Sequence, residues 1–530
     1  MPRLPLRLAP LAIVLALAPG LAVAQGRDDA KAPPPAFTDP QRAAKLAAAF
    51  PAIDRLMRDF AERSHVPGIA YGVVIDGRVA HVGVAGLRDV EANAPVDTAS
   101  VFRIASMTKS FTAAAILQLR DAGLLKLDDP AERYVPELRG LRYPSSDAPR
   151  ITIRHLLSHS EGFPEDNPWG DQQLSATDAA MSRMMREGIP FSTAPGTSYE
   201  YSNFGFAILG RIVTRVSGVP YTRYVRDRIL RPLGMTVTTL EARSVPASRL
   251  AHGYRRQDER WLEEEQLPDG SFGSMGGMLT SVADLSRWVA FLLDAWPPRD
   301  GDEGRVLSRA SRREMQQVWR YNGASAVRDA AGRTTLSAGG YGYGLGVRTT
   351  CRFRVSVAHS GGLPGFGSQM RWLPEYGVGI VAMGNLTYTG WTGVIEQAFD
   401  ALAESGGMEA RQPQPAPVLG RLRDDVTRLV LSWDDALADS IGAMNLYRDE
   451  SKARRRAQIE RVRVAAGDRC APQGAFVAEN ALRGRWRLRC ATGDLRIDIT
   501  LAPTTPARVQ FLQVAPMARE ESLEAAPACR

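Results

Sequence analysis

The sequence predicts an α+β protein: an antiparallel sheet flanked by helices, with an all-helical subdomain, followed by a small α+β carboxy-terminal domain. Three observations carry this. Strand-like alternation comes early, from Ile69 to Val84, and late, from Tyr341 to Gly384, with helical patterning between. Strands drawn from both ends of a segment pair antiparallel, because a parallel sheet needs regular strand–helix–strand alternation. A stretch bearing glycine and proline, 405–417, then reads as a linker to a tail with its own helices and strands.

The chain opens as an export signal, residues 1–24. Arg3 and Arg7 precede a largely apolar run from Leu8 to Leu21, and Ala22-Val23-Ala24 offers a small-residue cleavage site. The run is short for a membrane span and Pro19-Gly20 interrupts it. The expectation is a secreted or periplasmic protein with no stable membrane insertion after cleavage. Residues 25–38, with Ala32-Pro33-Pro34-Pro35, read as a flexible leader, and 39–404 as the main domain.

Asp39-Pro40 opens a helix with Leu46, Phe50, Ile53, Met57 and Phe60 on one face, closed by Val66-Pro67-Gly68. Ile69 to Ile75 and Arg78 to Val84 flank Asp76-Gly77, a primed hairpin turn. A helix from Ser106 runs to Gly123, its C-cap. Ile151 to His159 begins a helical segment that ends at Gly162. His155 and His159 are four apart, but with no third ligand they read as hydrogen-bonded structural histidines and not as a metal site. Turn chemistry from Ala194 to Glu200 delivers Tyr201-Ser202-Asn203 to an apolar helix, Phe204 to Val216. Glycine-rich Ser271 to Met278 precedes a helix from Ser281. Tyr341 to Val347, Phe353 to Val357, Gly367 to Trp372 and Val378 to Gly384 read as strands, and Trp391 to Ala403 as a closing helix.

In the tail, 418–530, Leu422, Val426, Leu429, Val430, Trp433 and Leu437 mark one helix. Lys452 to Arg456 lies on a second, as a solvated basic face. Gly484 to Cys490, Leu495 to Leu501 and Val509 to Val514 read as strands. Of four cysteines, Cys470 and Cys490 are close in sequence and are expected to pair, leaving Cys351 and Cys529 free. The net charge of +8 on 530 residues is scattered, with no basic stripe among aromatics, so nucleic acid is not an expected partner.

Chemistry concentrates at Ser106-Met107-Thr108-Lys109, where an extended run enters a helix. Positions i and i+3 share a helix face, so the Lys109 amine can reach the Ser106 hydroxyl. A neutral, desolvated lysine can take the proton of a serine that is otherwise a weak nucleophile. Of 66 basic residues only Lys31, Lys45, Lys109, Lys126 and Lys452 are lysines. Arginine cannot give up its proton, so a lysine in this arginine-rich chain carries weight. Read alone, Tyr201-Ser202-Asn203 is turn and cap material.

Three motifs stand in order: Ser106-x-x-Lys109, Tyr201-x-Asn203 and His359-Ser360-Gly361. With Leu156-Leu157-Ser158-His159-Ser160, Arg231-Pro232-Leu233-Gly234-Met235 and Gly276-Gly277-Met278-Leu279-Thr280-Ser281, the chain resembles the serine β-lactamase and penicillin-binding superfamily over about residues 38–404. More narrowly it is similar to the class C β-lactamase-like group that includes esterases and D-amino-acid peptidases. The resemblance implies a β-lactamase-like fold and an exported serine hydrolase without a cofactor or metal. Its substrate would be a small-molecule or peptide ester or amide. By the same resemblance Ser106 is the acylated nucleophile, Lys109 assists its deprotonation, and Tyr201 passes the proton to the leaving group. Asn203, with His359, Ser360, Gly361 and Gly362, would bind substrate. The backbone N–H groups of Ser106 and Gly362 would form the oxyanion hole. His359 stands where many relatives carry the lysine of Lys-Thr-Gly, which favours esterase or D-peptidase action over β-lactam hydrolysis. The alternatives are a D-amino-acid carboxypeptidase, a β-lactamase, or a non-catalytic protein that binds cell-wall peptides. Nothing in the sequence indicates the oligomeric state.

Overall fold

A computed structural model describes residues 29–328 and 334–524. The expected signal, 1–24, and Cys529 lie outside them. The described residues form two compact units, Phe37–Arg411 and a second made of 29–36 with 412–524.

The first unit begins with α1 (Arg42–Ala47) and α2 (Phe50–Arg63), where a single helix was expected. Pro51, in the first turn of α2, has no N–H and forces a restart there. The hairpin follows as β1 (Gly68–Ile75) and β2 (Arg78–Asp89). Its turn places Asp76 at φ 50° and Gly77 at φ 74°, as a primed turn requires. After β3 (Ala94–Pro95), the chain enters a helical region: α3 (Thr108–Asp121), α4 (Ile153–Leu157), α5 (Asp178–Glu187), α6 (Asn203–Ser217) and α7 (Val282–Leu293). Strands then return as β4 (Arg320–Arg328), β5 (Thr334–Tyr341), β6 (Gly346–Thr350), β7 (Ser356–Leu363), β8 (Phe366–Leu373) and β9 (Val378–Gly384), and α8 (Thr392–Glu404) ends the unit.

Among the described residues the main sheet runs β3-β2-β1-β9-β8-β7-β6-β5-β4, antiparallel throughout. The first strand pairs with the last, Ile69 opposite Gly384 and Ile75 opposite Val378. β1 is buried along its whole length, so both its faces are covered. Ile69, Tyr71 and Val73 join Met57 of α2 and Ile395 and Phe399 of α8 on one side. Ala70 and Val74 join Leu285 and Val289 of α7 and the helical region on the other. Gly72 lets α7 approach closely, since a Cβ there would meet the Ser286 hydroxyl at 2.6 Å. Phe111 of α3 stacks on Trp288 of α7, ring centres 4.0 Å apart, which ties α3 to the helix that packs on β1.

Two departures from expectation bear on the site. Tyr341 to Val347 is not one strand: β5 ends at Tyr341, Gly342 donates to the Leu345 carbonyl at 2.7 Å, and β6 starts at Gly346. Gly344 takes φ 67°, and a Cβ on it would stand 2.6 Å from the Lys109 carbonyl, so this turn presses on α3. β4 and the first half of β5 had no apolar alternation to reveal them, because their residues are mostly exposed.

The second unit holds α9 (Pro417–Leu431), α10 (Asp435–Ile441) and α11 (Lys452–Ala465) against a four-stranded antiparallel sheet. Its strands are β10 (Ala471–Asn480), β11 (Arg483–Arg489), β12 (Asp494–Leu501) and β13 (Val509–Met517). The single helix expected across 422–437 is two, because Asp434 caps a fresh start by accepting from Ala436 and Leu437 N–H. Trp486, Leu488, Leu495, Ile497 and Ile499 pack with Leu422, Val426 and Ile459 in its core. Residues 29–36, expected as part of a flexible leader, are hydrogen-bonded here. Val418 N–H donates to the Asp29 carbonyl at 3.0 Å, and Ala36 and Gln412 exchange two backbone bonds. Cys470 and Cys490 form a disulfide. Cys351, expected free, is also disulfide-bonded. No helix among the described residues is long and apolar enough to cross a membrane.

Candidate active site

Ser106 lies in a single 3-10 turn, Ala105–Met107, between an extended segment and α3. Ala105 is held at φ 49°, a left-handed conformation costly for a residue with a Cβ. The turn is pinned from three sides. Thr108 donates to the Ala105 carbonyl at 2.7 Å, Met278 N–H donates to Thr108 Oγ1 at 3.2 Å, and Ser368 donates to the Ile104 carbonyl at 2.9 Å. Ser106 keeps 7% of its surface exposed.

One turn on, Lys109 is completely buried. Its Nζ lies 3.1 Å from Ser106 Oγ, 2.6 Å from Asn203 Oδ1 and 2.9 Å from the Met275 carbonyl. It also sits 4.8 Å from the centre of the Tyr201 ring. Burial pushes the amine down to about 7, with the carboxylates of Asp171 and Asp166 pulling the other way. An amine with that value is largely neutral just above pH 7.

Tyr201 and Asn203 reach the site on the N-terminus of α6. Ser202 caps the helix by accepting from Gly205 N–H at 3.1 Å. The Asp166 carboxylate adds a second cap, accepting from Asn203 N–H at 2.6 Å and Phe204 N–H at 2.8 Å. Asn203 was expected to hold substrate. It is fully buried, with its amide oxygen on Lys109 and its NH2 donating to Asn167 Oδ1 at 2.9 Å, so it orients the lysine. The Tyr201 ring packs on His159, centres 4.3 Å apart, and His159 Nδ1 accepts from Ser202 N–H at 3.1 Å. Burial raises the Tyr201 hydroxyl well above its ordinary value while a hydrogen bond with Ser106 lowers it, so it keeps its proton. His155 closes a capping box with Thr152 at the start of α4. Both histidines are therefore structural.

His359, on β7, is 6.4 Å from Tyr201 ring to ring. Its Nδ1 is 2.6 Å from the Ser360 carbonyl, which can only accept, so the proton sits on Nδ1. Nε2 then accepts from the Tyr341 hydroxyl at 2.7 Å. Burial, helped by the nearby Lys109 and opposed by the Ser360 carbonyl, lowers this imidazole to about 3, so it is neutral across the physiological range. Ser360 contributes its carbonyl, while its side chain is exposed on the opposite face of β7. Gly361 passes tightly over the serine turn, where a Cβ would meet the Ile104 carbonyl at 2.1 Å. β6 pairs with β7 only from Ser356 to Ala358, so the β7 edge from His359 onward is unclaimed by that neighbour. Gly362 lies on this stretch.

The structure thus draws Ser106, Lys109, Tyr201, Asn203 and His359 into one cluster, with Gly361 and Gly362 along its edge. The sequence did not reveal Asp166, Asn167, Asp171, Tyr341 or the Met275 carbonyl. Tyr341 stood in a noted glycine–tyrosine run, but the acids lie in the loop before α5 with no motif of their own.

The Beta-lactamase family model matches residues 53–405. Protein flp of Staphylococcus aureus (strain COL) is 28% identical over 336 residues, which cover 63% of this chain and 62% of that protein. Penicillin-binding protein 4* of Bacillus subtilis (strain 168) is 26% identical over 302 residues, covering 54% of this chain and 60% of that protein. The matched stretch therefore spans less than two thirds of either relative. In fold, the chain is similar to an octameric penicillin-binding protein homologue from Pyrococcus abyssi, with a TM-score of 0.55, 22% identity, and coverage of 89% of this chain and 91% of that one. With a family model spanning well over half its length and an antiparallel sheet beside a helical region, the chain belongs to the Beta-lactamase family.

Proposed function

We propose that this protein is a serine hydrolase that cleaves an ester or amide through an acyl-enzyme on Ser106. One observation carries the reading: a fully buried Lys109 amine 3.1 Å from the Ser106 hydroxyl. A neutral amine has two N–H donors and one lone pair. Asn203 Oδ1 and the Met275 carbonyl are acceptors only and take both donors, which leaves the lone pair for the serine proton. In the first step Ser106 Oγ bonds to the substrate carbonyl carbon and its proton passes to Lys109. The carbonyl oxygen becomes an oxyanion facing the N–H groups of Ser106 and Gly362, each such donor being worth about 3 kcal/mol. Tyr201 protonates the leaving group as the carbon–oxygen or carbon–nitrogen bond breaks, and recovers its proton from Lys109. Water then reverses the sequence to free the acid.

The electrostatics support substrates without a carboxylate. The neutral His359 offers no fixed positive charge, and Asp166 and Asp171 stand close enough to act on Lys109. Simple esters and uncharged amides therefore come first. A D-peptidase or β-lactamase activity is the second reading, favoured by the relative named a penicillin-binding protein. The segment 1–24 supports export to the periplasm or beyond.

A fluorophosphonate probe tests the assignment, with mass spectrometry to find the adduct. The expected adduct is on Ser106, with turnover of 4-nitrophenyl acetate that Ser106→Ala abolishes. An adduct elsewhere, or unchanged turnover in the variant, overturns the proposal. Labelling without turnover of any ester, D-amino-acid amide or cephalosporin would favour the non-catalytic binder.

A further inference from the structure

In the proposed acylation Lys109 takes the Ser106 proton and becomes a cation with no exposure to solvent. The three atoms its amine touches, Ser106 Oγ, Asn203 Oδ1 and the Met275 carbonyl, all belong to uncharged groups. A buried charge is costly without an opposite one. The other ionisable groups packed around the amine offer none: Tyr201 keeps its proton, and burial holds His159 and His359 neutral. The opposite charges that act on Lys109 come from one loop, at Asp171 and Asp166, and Asp171 acts the more strongly.

The two acids are placed differently. Both oxygens of Asp166 accept from N–H groups of α6, so its charge is largely spent on the helix terminus. Asp171 sits in the 3-10 turn Gly170–Gln173 and keeps 3% of its surface exposed. Its Oδ2 accepts from the Tyr388 hydroxyl at 3.0 Å, which fixes the carboxylate. Its neighbour Gly170 presses on Asn203: a Cβ there would stand 2.7 Å from Asn203 Cβ, and Asn203 Oδ1 holds Lys109 Nζ at 2.6 Å. The acid is thus locked beside the side chain that aims the lysine. A carboxylate held there favours the charged amine, which raises the pH at which Lys109 releases its proton. It also stabilises the cation formed as Ser106 attacks, which makes Lys109 a stronger base.

We propose that Asp171 is a positioning residue whose fixed negative charge sets the working pH range and the strength of Lys109 as the base for Ser106. This rests on the acyl-enzyme reading above. The test uses Asp171→Asn, which keeps the shape and an acceptor for Tyr388, and Tyr388→Phe, which leaves the acid and removes its donor. The burst of Ser106 acylation by 4-nitrophenyl acetate is followed from acid to alkaline pH. In Asp171→Asn the midpoint of the rise should fall by about half a pH unit or more, and the plateau should fall with it. Relative to its own plateau, the rate at pH 6 then increases about threefold. Tyr388→Phe should move the midpoint the same way by less. General damage to the fold would lower the plateau and leave the midpoint in place. Because lysine is rare in the chain, carbon-13 labelling at lysine Cε gives a titration of Lys109 that needs no turnover, its signal identified by loss in Lys109→Arg. That titration should drop by the same amount. An unmoved or raised midpoint in either measurement overturns the proposal, and where Asp171→Asn does not fold, Tyr388→Phe decides. If Ser106 takes no label in the wild type, the hydrolase reading fails, and the titration still decides whether Asp171 governs Lys109.

Discussion

In the proposed mechanism Lys109 can act as a base only because it is dry, and a residue that cannot release its proton should fail in its place. Burial holds its amine near 7 while water would leave it near the ordinary lysine value. The neutral form accumulates as pH rises through that value, so the rate of Ser106 acylation should climb from pH 6 to pH 8 and then level. His359 lies far below this window and contributes no second step there. Lys109→Arg preserves charge and length but loses the lone pair, so acylation should fall by about 10²- to 10⁴-fold at every pH. Stopped-flow measurement of the acylation burst checks both; a profile without a rise near 7 would remove Lys109 from the role. The sequence revealed this residue because lysine is rare in it and Ser-x-x-Lys is local. It could not reveal the two acceptors that aim the lone pair, since Asn203 and Met275 come from distant segments.

At the scale of the element, α6 shows how a helix is fixed by what it touches. Glu161 is fully buried, and neither carboxyl oxygen has a hydrogen-bond partner. Burial pushes its acid well above the usual carboxylate range, so it is packed as a neutral group. It lies against Gly205, where a Cβ would fall 2.1 Å from Glu161 Oε1. Alanine normally stabilises a helix relative to glycine, by about 1 kcal/mol. Here Gly205→Ala should instead destabilise by about 1–3 kcal/mol through overpacking. In a Glu161→Ala background the sign should revert, and Gly205→Ala should stabilise. Thermal or denaturant melts of the four proteins close the cycle, and equal effects in both backgrounds would refute the contact. The approach of α6 to Glu161, which no local pattern shows, explains why residue 205 is glycine. The same distinction governs the strands. Those with a buried face were legible, while β4, largely exposed, carried no pattern to read.

For the whole molecule, the division into two units should appear as separable stability. The Cys470–Cys490 bridge closes a loop with a sequence separation of 20 inside the second unit. Replacing both cysteines by serine should cost that unit about 3 kcal/mol. Calorimetry should then show one transition lowered, with the rate of Ser106 labelling unaltered. A fall in labelling would tie the site to the tail. Composition suggested a linker over 405–417, and the two units divide between Arg411 and Gln412. The antiparallel order was legible from strands at both ends of the main domain. The exact neighbours were not, because pairing across hundreds of residues leaves no local trace.

That pairing also sets a schedule for the chain as it is made. β1 must wait for β9, with Ile69 meeting Gly384 only after roughly 300 further residues have been added. Until then the opening hairpin shows a bare, apolar edge to its surroundings. Closing so large a loop adds little to its entropic cost, which grows only logarithmically, but it delays the reward. A newborn chain of this design depends on being shielded from other copies until its last strand arrives.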